Sequence, residues 1–336
     1  MHALVTGAGG FLGRYIVEAL LARGDQVRGF ARNEYPELQR LGVKMIRGDL
    51  SDHNALLAAC RDVDCVFHVG GRVGIWGPWA DYYRANVVGT ENVLAACRAN
   101  HVGRLVFTSS PSVTFAGTDQ RGVNESVPYP SCWLAHYPHS KALAEQAVLG
   151  ANDDGLRTCS LRPHLVWGPR DHHLTARLVA GARAGRLRRI GAGANLVDMI
   201  YVENAAAAHL QAADALLHIK PGDTACAVGG KAYFLSQGEP VNCWQWIDEI
   251  LALVDLPPVK HSISLSTARM LGAACEAVWS ALPLSGEPPM TRFLARQLAT
   301  SHWFDISAAR RDLGYSPRIS TTEGMQRLGN WLLGQS

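Results

Sequence analysis

Tyr137-Pro138-His139-Ser140-Lys141 sets a phenol and an ammonium four residues apart, a spacing that puts both on one face of a helix. A free phenol has a pKa of about 10. An adjacent cation and the partial positive charge of a helix N-terminus both favour the phenolate, so the pair can work as an acid and base near neutral pH. Pro138 suits a first helical turn, and Ala142, Leu143, Ala144, Glu145, Gln146, Ala147, Val148 and Leu149 form helix readily. Tyr137 is therefore expected at a helix start. The spacing alone is common, and its meaning depends on what the rest of the chain brings to it.

The elements that would position the pair read as alternating strands and helices. Ala3 to Thr6 is a short buried strand, and Gly7, Gly10 and Gly13 then open a helix running to about Ala22. Glycines at this spacing let the backbone turn tightly and approach a pyrophosphate, with the phosphates on the helix N-terminus. A strand before and a helix after is the context that gives the triplet its meaning as a dinucleotide site, and it makes Phe11 and Leu12 part of that site. Strand two, about Gln26 to Phe30, ends in Ala31-Arg32 with no acid. A ribose 2'-hydroxyl is usually met here by a carboxylate and a 2'-phosphate by an arginine, so NADP(H) is favoured over NAD(H). Strand three spans Val43 to Arg47, and Asp49 after it suits either an adenine amino group or a helix cap near Asp52.

Strand four covers Cys65 to Val69, and Gly70-Gly71 would let a cofactor pass close over its end. The loop from Arg72 to Tyr83 carries Trp76, Trp79, Tyr82 and Tyr83, which either wall an apolar pocket or pack against the next helix, Asn86 to Ala99. Strand five, Arg104 to Thr108, delivers Ser109-Ser110 at the sheet edge where ligands gather in open parallel sheets. Strand six, Thr158 to Leu161, leads into Arg162-Pro163-His164-Leu165-Val166. The alternation predicts an α/β, Rossmann-type doubly wound parallel sheet over residues 1–170. A smaller, mixed substrate-binding region should follow over 171–336.

Composition narrows the class. With 48% hydrophobic and 18% charged residues the chain is globular, and a net charge of +3 is too slight to suggest nucleic acid. The eight cysteines have no metal-ligand or paired spacing, and His172-His173 lack an acidic companion in sequence, so no metal is expected. A strand beginning beside the initiator leaves no room for a leader, which with the cysteine pattern implies a reducing, cytoplasmic setting. Arg183, Arg186, Arg188 and Arg189 suit a solvated helix end or a carboxylate site. Ser266 to Leu282 has apolar residues at helical spacing, and packing against the core is the default. Lid-like packing over a substrate and contact with a membrane surface are the alternatives.

Taken together, the glycine turn at 7–13, the serine after strand five and the Tyr137/Lys141 helix resemble the extended short-chain dehydrogenase/reductase superfamily. Residues His136 to Leu149 and Leu161-Arg162-Pro163 are similar to its 3β-hydroxysteroid dehydrogenase branch, as are Gly230 to Phe234, Gly238-Glu239-Pro240 and Ala308 to Tyr315. The resemblance implies Tyr137 as proton donor or acceptor, Lys141 lowering its pKa and bonding the nicotinamide ribose, and Ser110 holding the substrate oxygen. It also implies cofactor contacts from Asp49 and Leu50, from Val69, Gly70 and Gly71, from Asn86, and from Pro163 and Val166. Expected substrates are a sterol or steroid first and a 2-alkyl-3-oxo acid second, with a nucleotide-sugar epimerase or a non-catalytic NADP-binding module as rival classes. A homodimer is expected by resemblance alone.

Overall fold

The computed structural model describes residues 1–217, 226–282 and 284–334. Seven strands form the central sheet: β1 (His2–Thr6), β2 (Gln26–Ala31), β3 (Lys44–Arg47), β4 (Cys65–His68), β5 (Arg104–Thr108), β6 (Arg157–Pro163) and β7 (Lys231–Leu235). They lie in the order β3-β2-β1-β4-β5-β6-β7, and every pairing is parallel. The direction of chain progression reverses between β1 and β4, which opens a crevice at the carboxyl ends of those two strands. This is the doubly wound α/β class that the alternation predicts, with strand ends moved by one or two residues.

Strands buried on both faces need helices on both sides. All four residues of β4 are buried. On one face Leu12, Ile16, Val17 and Leu20 of helix Phe11–Ala22 pack with Ala205, Ala208 and Ala212 of helix Val202–Ala215. On the other, Leu56, Val93, Leu94, Ala144 and Val148 close the second layer. The small alanine face lets helix Val202–Ala215 come close to its neighbour.

Beyond the sheet, a four-stranded ribbon lines up Val241–Asn242, Leu196–Val197, His302–Phe304 and Gln120–Val123. A third core of Trp167, Tyr201, Trp244, Trp246, Ile247, Ile250 and Leu328 sits beside it. Helix Leu265–Ala281 departs from the packed default, because only Ala268 and Gly272 are buried. It leans on helix Arg292–Ala299 through that small edge, where a Cβ at Gly272 would lie 2.7 Å from the Thr291 carbonyl carbon. Several of its large side chains point outward: Met270 is 67% exposed, Leu271 49% and Val278 44%, and Leu282, just past its end, 52%.

Candidate active site

The glycine turn is built by close approach. Gly7 has φ +68°, and a Cβ there would lie 2.7 Å from the Gly70 Cα; a Cβ at Gly13 would lie 2.2 Å from the Gly7 carbonyl oxygen. No other residue fits either place. Phe11 and Leu12 are the first two residues of the helix, Leu12 buried and Phe11 half-buried with its ring edge-on to Tyr15. Leu50 leans over the same crevice, its Cδ1 3.3 Å from where a Gly70 Cβ would be. Gly70 follows β4 by two residues, so the ends of β1 and β4 meet in a cradle of backbone that carries no side chains at Gly7 and Gly70. That cradle fits an extended phosphate-bearing ligand.

At the neighbouring strand ends, Arg32 is exposed just past β2. Asp49 follows β3 and accepts from the Ser51 backbone N–H and hydroxyl at 2.9 and 2.7 Å. These two bonds hold its carboxyl below the usual range. The helix cap weighed for Asp49 belongs instead to Asp52, which accepts from Ala55 N–H. Pro163 is buried at the end of β6, and Val166 sits in a short parallel pairing with Ile200.

Tyr137 is the second residue of helix His136–Gly150 and is half-buried. Ser110, two residues beyond β5, has its hydroxyl 2.8 Å from Ser112 Oγ and near enough to the phenol to act on its pKa. Ser109 is buried with its N–H bonded to Leu161 O, so of the two serines it is Ser110 that faces the tyrosine. Burial pushes the Tyr137 phenol up to about 12, with Ser110 pulling the other way. The sequence leads one to expect a phenol lowered by Lys141, and this is corrected. The Lys141 ammonium turns to the Thr108 carbonyl at 2.6 Å and lies over the Phe107 ring, and burial brings its own pKa down to about 7.

Asn86 lies in a π-helical turn, Tyr83–Val88, rather than in regular α-helix. Its carboxamide donates to Ser140 Oγ at 2.8 Å, and Ser140 donates to the Tyr137 carbonyl at 2.9 Å. Beneath the pair, Glu145 is fully buried against Arg162 at 2.6 Å and accepts from the Tyr129 and Ser160 hydroxyls, both at 2.7 Å. Burial pushes the Glu145 carboxyl up, but Arg162 and Tyr129 outweigh it and the net shift is downward.

The aromatic loop packs, and against the tyrosine helix as well as upon itself. Tyr82 is buried with its hydroxyl on the Trp76 carbonyl, whereas Trp79 reaches the tyrosine helix. There His139 lies between Trp79 and Trp133, with ring centroids at 4.6 and 5.1 Å, two residues along the helix from Tyr137. This sandwich, like the Glu145–Arg162 pair, was not singled out from the sequence; a histidine flanked by the Trp79 loop and Trp133 was the available signal. The arginine cluster does not gather. Arg189 pairs with Asp248 at 2.5 Å, Arg188 donates to nearby carbonyls, and Arg183 and Arg186 are exposed. His172 and His173 are exposed too, and among the described residues no group of histidines, cysteines and acids could hold a metal.

Comparison with known proteins gives consistent relatives. The model of the 3-beta hydroxysteroid dehydrogenase/isomerase family matches residues 4–266. The 2-alkyl-3-oxoalkanoate reductase of Stenotrophomonas maltophilia (strain K279a) is 52% identical over 98% of both chains. The decarboxylating sterol-4-alpha-carboxylate 3-dehydrogenase of Homo sapiens is 33% identical over 96% of this chain and 86% of that one. Among solved structures, MoeE5 in complex with UDP-glucose and NAD has a TM-score of 0.74 at 24% identity, covering 100% of this chain and 99% of that chain. At that identity the likeness shows the fold alone.

Proposed function

The chain belongs to the 3-beta hydroxysteroid dehydrogenase/isomerase family, and on that footing we propose that it reduces the ketone of a 2-alkyl-3-oxoalkanoate with NADPH. An NAD(P)-dependent oxidoreductase acting on hydroxyl and keto groups is what the family membership gives. The sterol expected first from the motifs yields to the oxo acid, because the reductase named for that substrate shares 52% of its residues against 33% for the sterol enzyme.

The observation that carries the reading is the pairing of Ser110 with Tyr137 beside the β1–β4 crevice. Gly7, Gly10, Phe11, Leu12 and Gly13 would hold the pyrophosphate, with Asp49 and Leu50 at the adenine. Val69, Gly70, Gly71 and Asn86 would hold the middle of the cofactor, Lys141 the nicotinamide ribose, and Pro163 with Val166 the nicotinamide side. Residues 1–170 then serve the dinucleotide and 171–336 the substrate. Arg32, exposed at the end of β2 and without an ion pair among the described residues, supports a 2'-phosphate. When bound, the reduced nicotinamide supplies hydride to the carbonyl carbon.

The chain's own groups handle the oxygen. Ser110 donates a hydrogen bond to it and stabilises the developing negative charge. Tyr137, kept protonated by burial, transfers its phenolic proton to make the alcohol and is reprotonated from solvent on its open side. Lys141, held by the Thr108 carbonyl, fixes the floor on which the ribose would sit.

An anionic lipid surface is the natural source of so apolar a substrate. Helix Leu265–Ala281 offers the exposed stripe of Met270, Leu271 and Val278. Its root is basic: Ser262–Ile263 pairs with Arg189–Ile190, and Lys260, Arg186 and Arg188 lie in the segments that lead into that pairing. Arg183, Arg186, Lys260 and Arg269 are exposed and make no ion pair among the described residues. Apolar side chains with flanking cations are what an interfacial helix needs.

The test is turnover of a 2-alkyl-3-oxoalkanoate and, separately, a 3-ketosteroid, each with NADPH and with NADH. The proposal expects the oxo acid with NADPH to be fastest. Faster turnover of the steroid, or no turnover of either, would reject it.

A further inference from the structure

Thr6 ends β1 and His68 ends β4, side by side in the sheet. A hydrogen-bonded chain runs through them in both directions. Gly70 N–H donates to Thr6 Oγ at 3.1 Å, and Thr6 Oγ lies 2.8 Å from His68 Nδ1. On the other side His68 Nε2 lies 2.9 Å from Thr90 Oγ, and Thr90 donates to the Asn86 carbonyl at 2.6 Å. Thr6, His68, Asn86 and Thr90 are all buried.

The proton positions follow from these bonds. The Thr90 hydroxyl hydrogen is used on Asn86, so Thr90 Oγ must accept, and His68 Nε2 carries the proton. His68 Nδ1 is then bare and accepts from Thr6, whose Oγ lone pair remains for Gly70 N–H. One neutral tautomer satisfies every member. An imidazolium would donate at both nitrogens and leave the Thr6 hydrogen with no acceptor in the chain. Burial keeps the ring uncharged, pulling its pKa down to about 3.

Beyond Asn86 the chain continues through Asn86 Nδ2 to Ser140 Oγ and from Ser140 to the Tyr137 carbonyl, at 2.8 and 2.9 Å. We infer that His68 is a positioning residue that ties the glycine turn at Gly7 and Gly70 to the first turn of the Tyr137 helix, so that filling the crevice and placing the phenol are coupled. The inference rests on the reading of that crevice as the dinucleotide site and of Tyr137 as proton donor. A histidine suits the position because a neutral imidazole offers one acceptor and one donor in a rigid plane, and both are used.

The experiment is a double-mutant cycle with Thr6→Val and Thr90→Val, read as the NADPH dissociation constant by titration and as kcat. Thr90 bonds the carbonyl of Asn86, itself placed against the cofactor, so a local role would lower NADPH affinity independently of Thr6, and it is the non-additivity of the two changes that reads the brace. The proposal expects Thr90→Val to weaken NADPH binding by about five- to tenfold and to lower kcat. The double variant should cost little more than the larger single, and in a His68→Leu background neither change should matter further. His68→Gln, with one donor and one acceptor, should recover part of the loss. Additive effects, or a Thr90→Val protein altered only in melting temperature, would overturn the brace.

Should His68→Leu not fold, the two threonine variants carry the test unaided. An independent arm reads the ring nitrogens of the cofactor-free protein by NMR: the proposal expects a protonated Nε2 and a bare Nδ1, and the opposite tautomer would overturn it. Failure of the parent protein to bind NADPH or NADH would instead reject the dinucleotide reading, which separates the two.

Discussion

The Lys141 ammonium donates to the Thr108 carbonyl at 2.6 Å and lies 3.9 Å from the centroid of the Phe107 ring, so the end of β5 holds the cation. Burial lowers its pKa from 10.5 to about 7, against the pull of Glu145 one turn on. Between these two values the unfolded chain keeps a proton that the folded chain releases, so stability rises with pH across that window, and the burial cost is complete below about pH 7. Lys141→Met should therefore melt higher than the parent at about pH 6, with the gap closing toward about pH 10, while turnover falls steeply. Equal melting temperatures at both pH values would contradict the burial cost.

Tyr137 bears on reaction direction. A phenol pushed up to about 12 stays protonated through the neutral range. Ketone reduction needs that proton and should change little between about pH 6 and 8, whereas alcohol oxidation needs the phenolate and should climb with alkali. Initial rates in both directions across pH test this, and a flat oxidation profile would count against it. Tyr137→Phe should lose about 10²- to 10⁴-fold in kcat both ways with NADPH affinity unchanged.

The Glu145–Arg162 pair lies wholly inside the protein. Removing one partner of such a pair strands a buried charge and costs about 3–5 kcal/mol. Arg162→Met alone should be the damaging change, and adding Glu145→Gln should return part of the stability. Urea unfolding of the single and double variants measures this; a single variant as stable as the parent would refute it.

Lipid docking predicts a composition dependence. The protein should sediment with vesicles containing phosphatidylglycerol and much less with pure phosphatidylcholine, and salt should weaken the binding. Met270→Asp with Val278→Asp should abolish it while ketone turnover of a soluble substrate persists. Equal binding by the variant would remove the helix from the account.

Short-range patterns made much of this molecule legible. The spacing of Gly7, Gly10 and Gly13 between a strand and a helix foretold the turn, and Tyr137 does stand at a helix start. What stayed hidden depends on long-range partners. Nothing local in Lys231 to Leu235 says that it extends the main sheet beside β6. His68 reads only as one residue of an apolar strand until Thr6 and Thr90, far along the chain, supply its bonds. The Lys141 direction was misread because spacing gives a helix face but not which acceptor the side chain finds, and the Thr108 carbonyl comes from another element. The outward stripe of helix Leu265–Ala281 was likewise unreadable, since periodicity marks an apolar face without saying what covers it.

The ribbon that pairs Gln120–Val123 with His302–Phe304 joins segments far apart in the chain. During synthesis the earlier strand must wait, unpaired and with its hydrogen-bonding edge open, until the later one leaves the ribosome. The seven-stranded sheet can reach completion with β7, well before that. Assembly of this molecule is thus ordered in time: the cofactor crevice can form first, and the ribbon closes last, leaving an interval in which the exposed strand is open to the wrong partners.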